Sequence, residues 1–251
     1  MPEDARSVFT ERAAWYAQST VHRDPASLAR LVAWAAPAPT ARVLDVGTGT
    51  GHLALALAPH VAHVTGLDPT PAMLREAQAE AGRRGLSNVD FVLGDAEALR
   101  APDGAFDLVT CRRAAHHVRD LPRALAEVCR VLRPGGRFLL DDRSVPEGPE
   151  VDRLQNELDV LHDPSHVRER PPSEWRALLE AAGLRLARLE TYEASRPFEG
   201  FWSTARPADA ARMRALAAAW TPEERRAMGA NPVGEVERTT HWFLTALAER
   251  P

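Results

Sequence analysis

The sequence predicts an α/β fold, a mostly parallel central sheet with helices on both faces, and three observations carry that expectation. From Arg42 onward, short apolar runs alternate with amphipathic stretches, the pattern of strands joined by covering helices. One apolar run, Val43-Leu44-Asp45-Val46, passes straight into the turn Gly47-Thr48-Gly49-Thr50-Gly51. The chain has 251 residues, 45% of them hydrophobic, enough for one well-packed core with a modest cap and short of two full domains.

Ahead of the sheet, residues 8–17 and 26–35 have amphipathic spacing and predict two helices joined by the polar stretch 19–25, a leader able to lie over a site as a lid. Strands are expected at 42–46, 63–67, 89–93, 106–111 and 136–141, with a helix at 52–58 after the glycine turn. Thr70 and Pro71 read as an N-cap with proline at the first helical position, opening a helix that runs to about residue 84 and stops at Gly85. Asp120 caps the next helix, whose Leu121, Leu125, Val128 and Leu132 fall on one face at spacings of 4, 3 and 4. Pro134-Gly135-Gly136 ends it and turns the chain into the fifth strand. Beyond, 146–172 is rich in proline and charge, 173–182 reads as a helix ended by Gly183, 184–192 as a strand, and 207–228 as helical. Residues 239–247 close the sheet as a last strand or form a helix; their pattern permits both. The expected organisation is a single domain over 1–251, with a helical lid at 1–37, a ligand-binding core at 38–145, and a cap with closing strands at 146–251.

Composition narrows the function. The 31 basic residues against 35 acidic ones give a formal charge of −4 without any block of like charges, so neither nucleic acid nor an anionic membrane is the expected partner. Every basic residue is arginine; lysine and isoleucine are absent, which excludes Schiff-base catalysis and the P-loop lysine. Cys111 and Cys129 sit in different elements and form no metal or redox pair, the usage of a reduced, cytoplasmic protein. The first residues carry charge rather than an apolar core, and no run of 18 apolar residues follows, so neither secretion nor membrane spanning is expected.

The glycine turn carries the chemistry. Glycines there let the backbone bend sharply and let a ligand approach the main chain. A second acid, Asp68, stands at the end of the next strand, 23 positions after Asp45, a spacing suited to a carboxylate that accepts hydrogen bonds from ribose hydroxyls. Nicotinamide-binding turns place three glycines as G-x-G-x-x-G, whereas here the third falls at Gly51 and His52 follows, which counts against that class.

VLDVGTGTG at 43–51 resembles the first motif of class I S-adenosylmethionine-dependent methyltransferases, and later motifs follow in order. VTGLDPTPAML at 64–74 is similar to the motif around the ribose-binding acid, and FVLGDAEAL at 91–99 to the one that lies along the adenine. FDLVTCRRAAHHV at 106–118 with VLRPGGRFLL at 131–140 resembles the ubiquinone and menaquinone biosynthesis type subgroup. A weaker likeness runs through DPSHVR and EWRALLEAAG to Gly183. The resemblance implies a Rossmann-like class I methyltransferase fold and S-adenosyl-L-methionine as methyl donor, with S-adenosyl-L-homocysteine as product. It also implies, position by position, that Gly47, Thr48, Gly49 and Gly51 cradle the methionine part and Asp45 helps hold its amino group. Asp68, with Pro69 beside it, takes the ribose, while Asp95 and Ala96 take the adenine. Arg112 lies beside the donor, Met73 packs on the adenine face or in the core, and Tyr16 closes over the site or is an ordinary half-buried aromatic.

Such a reaction needs alignment and desolvation more than covalent catalysis, because holding the acceptor about 3 to 3.5 Å from the methyl carbon supplies several kcal/mol. A base is required only where the acceptor starts protonated, and His116 and His117, just past the fourth strand, are the candidates; capping and packing are their alternative roles. His162 and His166 stand four apart, but Pro164 interrupts them and no third ligand is near, so no metal is expected and a polar pocket wall is the better reading. Asp141 and Asp142 either face the pocket or are solvated, and Phe198, Phe201 and Trp202 belong to a substrate cap or a local core. The expected acceptor is a small molecule and the expected state a monomer or homodimer. A nicotinamide oxidoreductase and a non-catalytic donor-binding module are the alternatives.

Overall fold

Apolar strands that alternate with helices can pair side by side only by crossing over the sheet, and this sets the topology. The computed structural model describes residues 3–19, 22–202, 205–233 and 236–251. Strands β1 (Arg42–Val46), β2 (His63–Asp68), β3 (Val89–Leu93), β4 (Phe106–Arg112) and β5 (Leu132–Ser144) run parallel in the order β3-β2-β1-β4-β5. The order reverses between β1 and β4, and the crevice outside the carboxyl ends of the strands at such a reversal is where open α/β sheets bind ligands. Beyond β5 come β8 (Val236–Glu249), antiparallel to both its neighbours, and then β6 (Arg185–Pro197); the short β7 (Asn231–Val233) pairs with β8.

Two helices precede the sheet, α1 (Ala5–Gln18), capped by Asp4, and α2 (Pro25–Ala35), capped by Asp24 with proline at its start. Crossovers are made by α3 (His52–Leu57), which tightens into a 3-10 turn at Ala58–His60, by α4 (Pro71–Arg83) and by α5 (Leu121–Val131). The rest of the chain adds α6 (Pro149–His162), α7 (Pro172–Ala181), α8 (Phe198–Trp202), α9 (Pro207–Ala219) and α10 (Pro222–Ala227). Alternate residues of the strands feed two cores. Leu44, Val46 and Val109 pack with Leu121, Leu125, Trp175 and Leu179 on one face, and Val43, Leu108 and Leu139 with Leu31, Leu53 and Leu57 on the other. Among the described residues no helix is long and apolar enough to cross a membrane.

One open choice is decided by the structure and several boundaries differ from the sequence expectation, each for a physical reason. Residues 239–247 are strand, because the slot between β5 and β6 pairs their backbone on both edges and buries Phe243, Leu244 and Thr245. The fifth strand begins at Leu132, not Gly136, so Leu132 is the residue after α5 rather than part of it, and the register against β4 shifts between Phe106 and Leu108 to absorb the turn-prone residues. The span 207–228 is two helices, since Thr221 starts a new capping box with Glu224 and Pro222 takes its first position. Within 146–172, Pro149 opens α6 instead of preventing a helix.

Candidate active site

The turn after β1 is held in left-handed backbone that glycine alone adopts without strain: φ is +65° at Gly47 and +54° at Gly49. A Cβ on Gly47 would lie 2.4 Å from Cβ of Ala114, whereas one on Gly49 would meet nothing within 4 Å. The first glycine therefore lets two loops touch, and the second leaves open space beside the main chain. Asp68 ties the turn to β2: its Oδ2 accepts from the Gly49 N–H at 2.9 Å and its Oδ1 from the Thr70 N–H at 2.8 Å. Burial pushes its carboxyl above the ordinary range, while the two backbone N–H bonds pull it back. Asp45 lies deeper and accepts from Thr48 Oγ1 at 2.7 Å and Thr110 Oγ1 at 2.6 Å. Burial raises its pKa to about 6 against those bonds.

These residues open into a cavity of about 1100 Å³ at the carboxyl ends of the strands. Asp45, Gly47, Thr48, Gly49, Asp68, Pro69, Met73, Asp95, Ala96, Arg112 and Tyr16, all expected at the donor, line it, as do His116 and His117. Gly51 does not. Its φ of +81° makes the N-cap of α3, and a Cβ there would press on Ala77 and Phe91, so it shapes the turn from behind. Met73 is both buried and cavity-lining, in a small cluster with Ala13 and Ala72 against which Phe9 and Tyr16 pack. Helix α1 thus forms part of the cavity wall. Arg6 reaches Asp95 at 3.4 Å, Arg12 reaches Asp163 at 3.3 Å, and the Tyr16 carbonyl meets His52 Nε2 at 3.2 Å. Burial lifts the Tyr16 hydroxyl to a pKa of about 12, so it stays protonated.

All but His60 and His63 of the nine histidines face this one cavity. His116 lies in the 3-10 turn Ala115–His117, with its backbone N–H and its Nδ1 both on the Asp142 carboxylate, at 2.9 and 2.5 Å. A ring whose Nδ1–H is given to a carboxylate presents a bare Nε2. His117 reaches the same state by a relay. Ser165 Oγ donates to Asp163 Oδ1 at 2.6 Å, so at 3.1 Å it accepts from His117 Nδ1. Burial, reinforced by repulsion from His116, drops the His117 pKa to about 4. His166, 5.3 Å from His116 between ring centroids, is driven to about 3, chiefly by burial. Burial also works to raise the Asp142 carboxyl, but the charge and hydrogen bond of His116 outweigh it and the pKa is lowered.

Asp141 and Asp142 lie behind this wall, neither on the cavity nor solvated. Asp141 takes Arg30, Arg113, Tyr192 and Thr245, the last two at 2.9 and 2.8 Å. Among Phe198, Phe201 and Trp202, only Phe201 reaches the cavity; the other two stack on each other, centroids 4.4 Å apart, in a core with α6 and α9. His162 and His166 do not share a helix face, because α6 ends at His162 and Asp163 is extended. His166 instead meets Asp159 and Glu169, but Arg143 already supplies the cation there, donating to both Asp159 oxygens at 2.9 Å and to Glu169. Sequence reasoning missed His22, His52 and His241, each from a different element. Their signal was compositional, the number of histidines in a chain without lysine.

Comparison with known proteins identifies the family. Residues 44–140 match the family model described as a methyltransferase domain. The chain is 44% identical over 173 residues to the uncharacterized methyltransferase YcgJ of Bacillus subtilis, which takes in 69% of this chain and 68% of that protein. It belongs to the class I S-adenosylmethionine-dependent methyltransferases. The crystal structure of YcgJ superposes on this methyltransferase with a TM-score of 0.84 at 34% identity, covering 90% of this chain and 98% of that one. A Bacillus halodurans protein described as a methyltransferase gives 0.85 at 32%, over 90% and 99%. The ubiquinone/menaquinone biosynthesis C-methyltransferase UbiE of Methylobacterium nodulans is 46% identical over 116 residues, 45% of this chain and 46% of that protein. Membership sets aside the nicotinamide alternative.

Proposed function

We propose that this methyltransferase holds S-adenosylmethionine along Gly47 to Gly49 and Asp68 and passes the methyl group to a small molecule seated against the histidine wall. The observation that carries the reading is the open space beside Gly49, bounded by a carboxylate already fixed on its N–H. The residues suit the donor: Arg112 Nε is buried without a hydrogen-bond partner and fits a carboxylate, and Asp68 has lone pairs left for hydroxyls. In this reading Asp95 and Ala96 hold the adenine, Met73 and Tyr16 cover it, and Asp45 orders the turn through Thr48. The bound donor supplies a methyl group on a positively charged sulfur. His116 Nε2 takes the acceptor's proton, and Asp142 steadies the charged ring that results. His117, neutral at working pH, flanks it and excludes water.

The likeness to UbiE supports placing the core with the ubiquinone and menaquinone type, and it is confined to 116 residues. We further propose one domain with α1 and α2 as lid and residues 146–251 as cap, acting in the cytoplasm as a monomer or homodimer without a nucleic-acid partner. Titration calorimetry with S-adenosylmethionine, S-adenosylhomocysteine and NADH tests the donor: the first two are expected to bind and the third not. Absence of binding by S-adenosylhomocysteine overturns the reading. Release of S-adenosylhomocysteine with any member of a metabolite panel tests turnover and separates the enzyme from a donor-binding module.

A further inference from the structure

The far side of the cavity carries more positive charge than its carboxylates absorb. Arg143 is committed to Asp159 and Glu169, and Arg113 to Asp141, which also takes Arg30 and has Arg112 Nε at 4.0 Å. Arg196 lines the same cavity, and among the described residues its guanidinium has no carboxylate, hydroxyl or carbonyl partner. Burial and the neighbouring charges of Arg143 and Arg113 lower its pKa, which is the mark of a cation that lacks a counterion.

His241 adds a second donor without an acceptor. Arg143 Nη2 lies 3.1 Å from its Nδ1, and since a guanidinium only donates, Nδ1 must accept. The proton of the neutral ring is therefore on Nε2, which is buried and has no partner among the described residues. Burial, with Arg143 next, holds this ring well below the ordinary histidine pKa, consistent with that neutral form. The strand register brings the two together. Ala194 stands opposite His241 and Arg196 opposite Thr239, so Arg196 and His241 share a face as diagonal neighbours, about 7–8 Å apart at Cα. Phe201 packs edge-on to His241, ring centroids 4.7 Å apart, and walls this end.

We propose that Arg196 and His241 form an oxyanion subsite, so that the methyl acceptor is a small acid carrying a carboxylate or phosphate at the end away from the methylated atom. The proposal rests on the methyltransferase reading of the cavity and names its substrate class. A fixed donor and an unpaired, partly buried guanidinium bind such a group by charge-assisted hydrogen bonds, and they discriminate against a neutral analogue that leaves them unpaired.

The test uses the full chain saturated with S-adenosylhomocysteine and titrated by calorimetry with benzoate, phenyl phosphate and benzamide. One anion is expected to bind at least about tenfold more tightly than the amide, and the tighter of the two identifies the oxyanion. R196Q is expected to erase that preference, and R196K to keep part of it, with S-adenosylhomocysteine affinity and melting temperature unchanged in both. Equal binding of benzoate, phenyl phosphate and benzamide, or no binding by any, overturns the proposal, as does an R196Q protein that keeps the preference. Weaker S-adenosylhomocysteine binding by R196Q would assign Arg196 to the donor instead. Failure of the unaltered protein to bind S-adenosylhomocysteine fells the donor reading itself, a distinct outcome.

Discussion

Gly49 has φ +54°, and a side chain there would enter open space, so Gly49→Ala separates the stability of the turn from its use. Left-handed backbone costs a non-glycine residue about 1–2 kcal/mol, and no clash adds to it. For a chain of this length that predicts a melting temperature lower by about 2 to 8 °C. The methyl would occupy the space assigned to the donor, so calorimetry is expected to show S-adenosylhomocysteine affinity reduced at least about tenfold, or about 1.4 kcal/mol. Gly47→Ala should behave in the opposite proportion, because its Cβ would lie 2.4 Å from that of Ala114 and overpacking adds about 1–3 kcal/mol to the same strain. A Gly49→Ala protein that binds the nucleoside as the parent does, at the expected melting temperature, refutes the placement of the donor beside this turn.

Other perturbations follow from the histidine wall and its supports. Asp142→Asn should lower kcat at least about tenfold, since the ring of His116 loses the carboxylate that holds its Nδ1–H; an unchanged kcat rejects the pairing. His117 and His166, with folded pKa values of about 4 and 3 against about 6.5 unfolded, are neutral in the fold, so the unfolded chain binds more protons on acidification. Their contribution is complete above pH 6.5 and is lost as pH falls toward 4. At pH 5 the deeply buried His166 alone accounts for on the order of 2 kcal/mol, read as a drop in urea midpoint that His166→Phe should reduce. Arg143→Met strands Asp159 and Glu169 and should cost about 3–5 kcal/mol, with much of the loss recovered by adding Asp159→Asn and Glu169→Gln. Failure of those two changes to restore the melting temperature would show that packing on Phe243 matters more than charge.

The parallel core was readable because its signals are local: an apolar run, a glycine that must take positive φ, a cap such as Asp120 whose side chain accepts from the Arg123 N–H. The half of the cavity proposed for the donor inherits that legibility, since Asp45, Gly47, Gly49 and Asp68 are fixed by the same two strand ends. The half proposed for the acceptor does not. His241 and Arg196 meet only because β8 inserts between β5 and β6, and nothing in residues 239–247 distinguishes that strand from a helix until its neighbours are in place. Asp142 reads in the sequence as facing the pocket or solvated, and only the fold turns it toward His116.

Helix α1 touches the proposed donor side and the histidine wall at once: Arg6 pairs with Asp95 while Phe9 sets its ring edge-on to His117, centroids 4.9 Å apart. One helix of 14 residues thus touches both proposed halves of the site. If α1 is the lid proposed above, lifting it to admit a nucleoside also uncovers His117, and the two reactants then share one door.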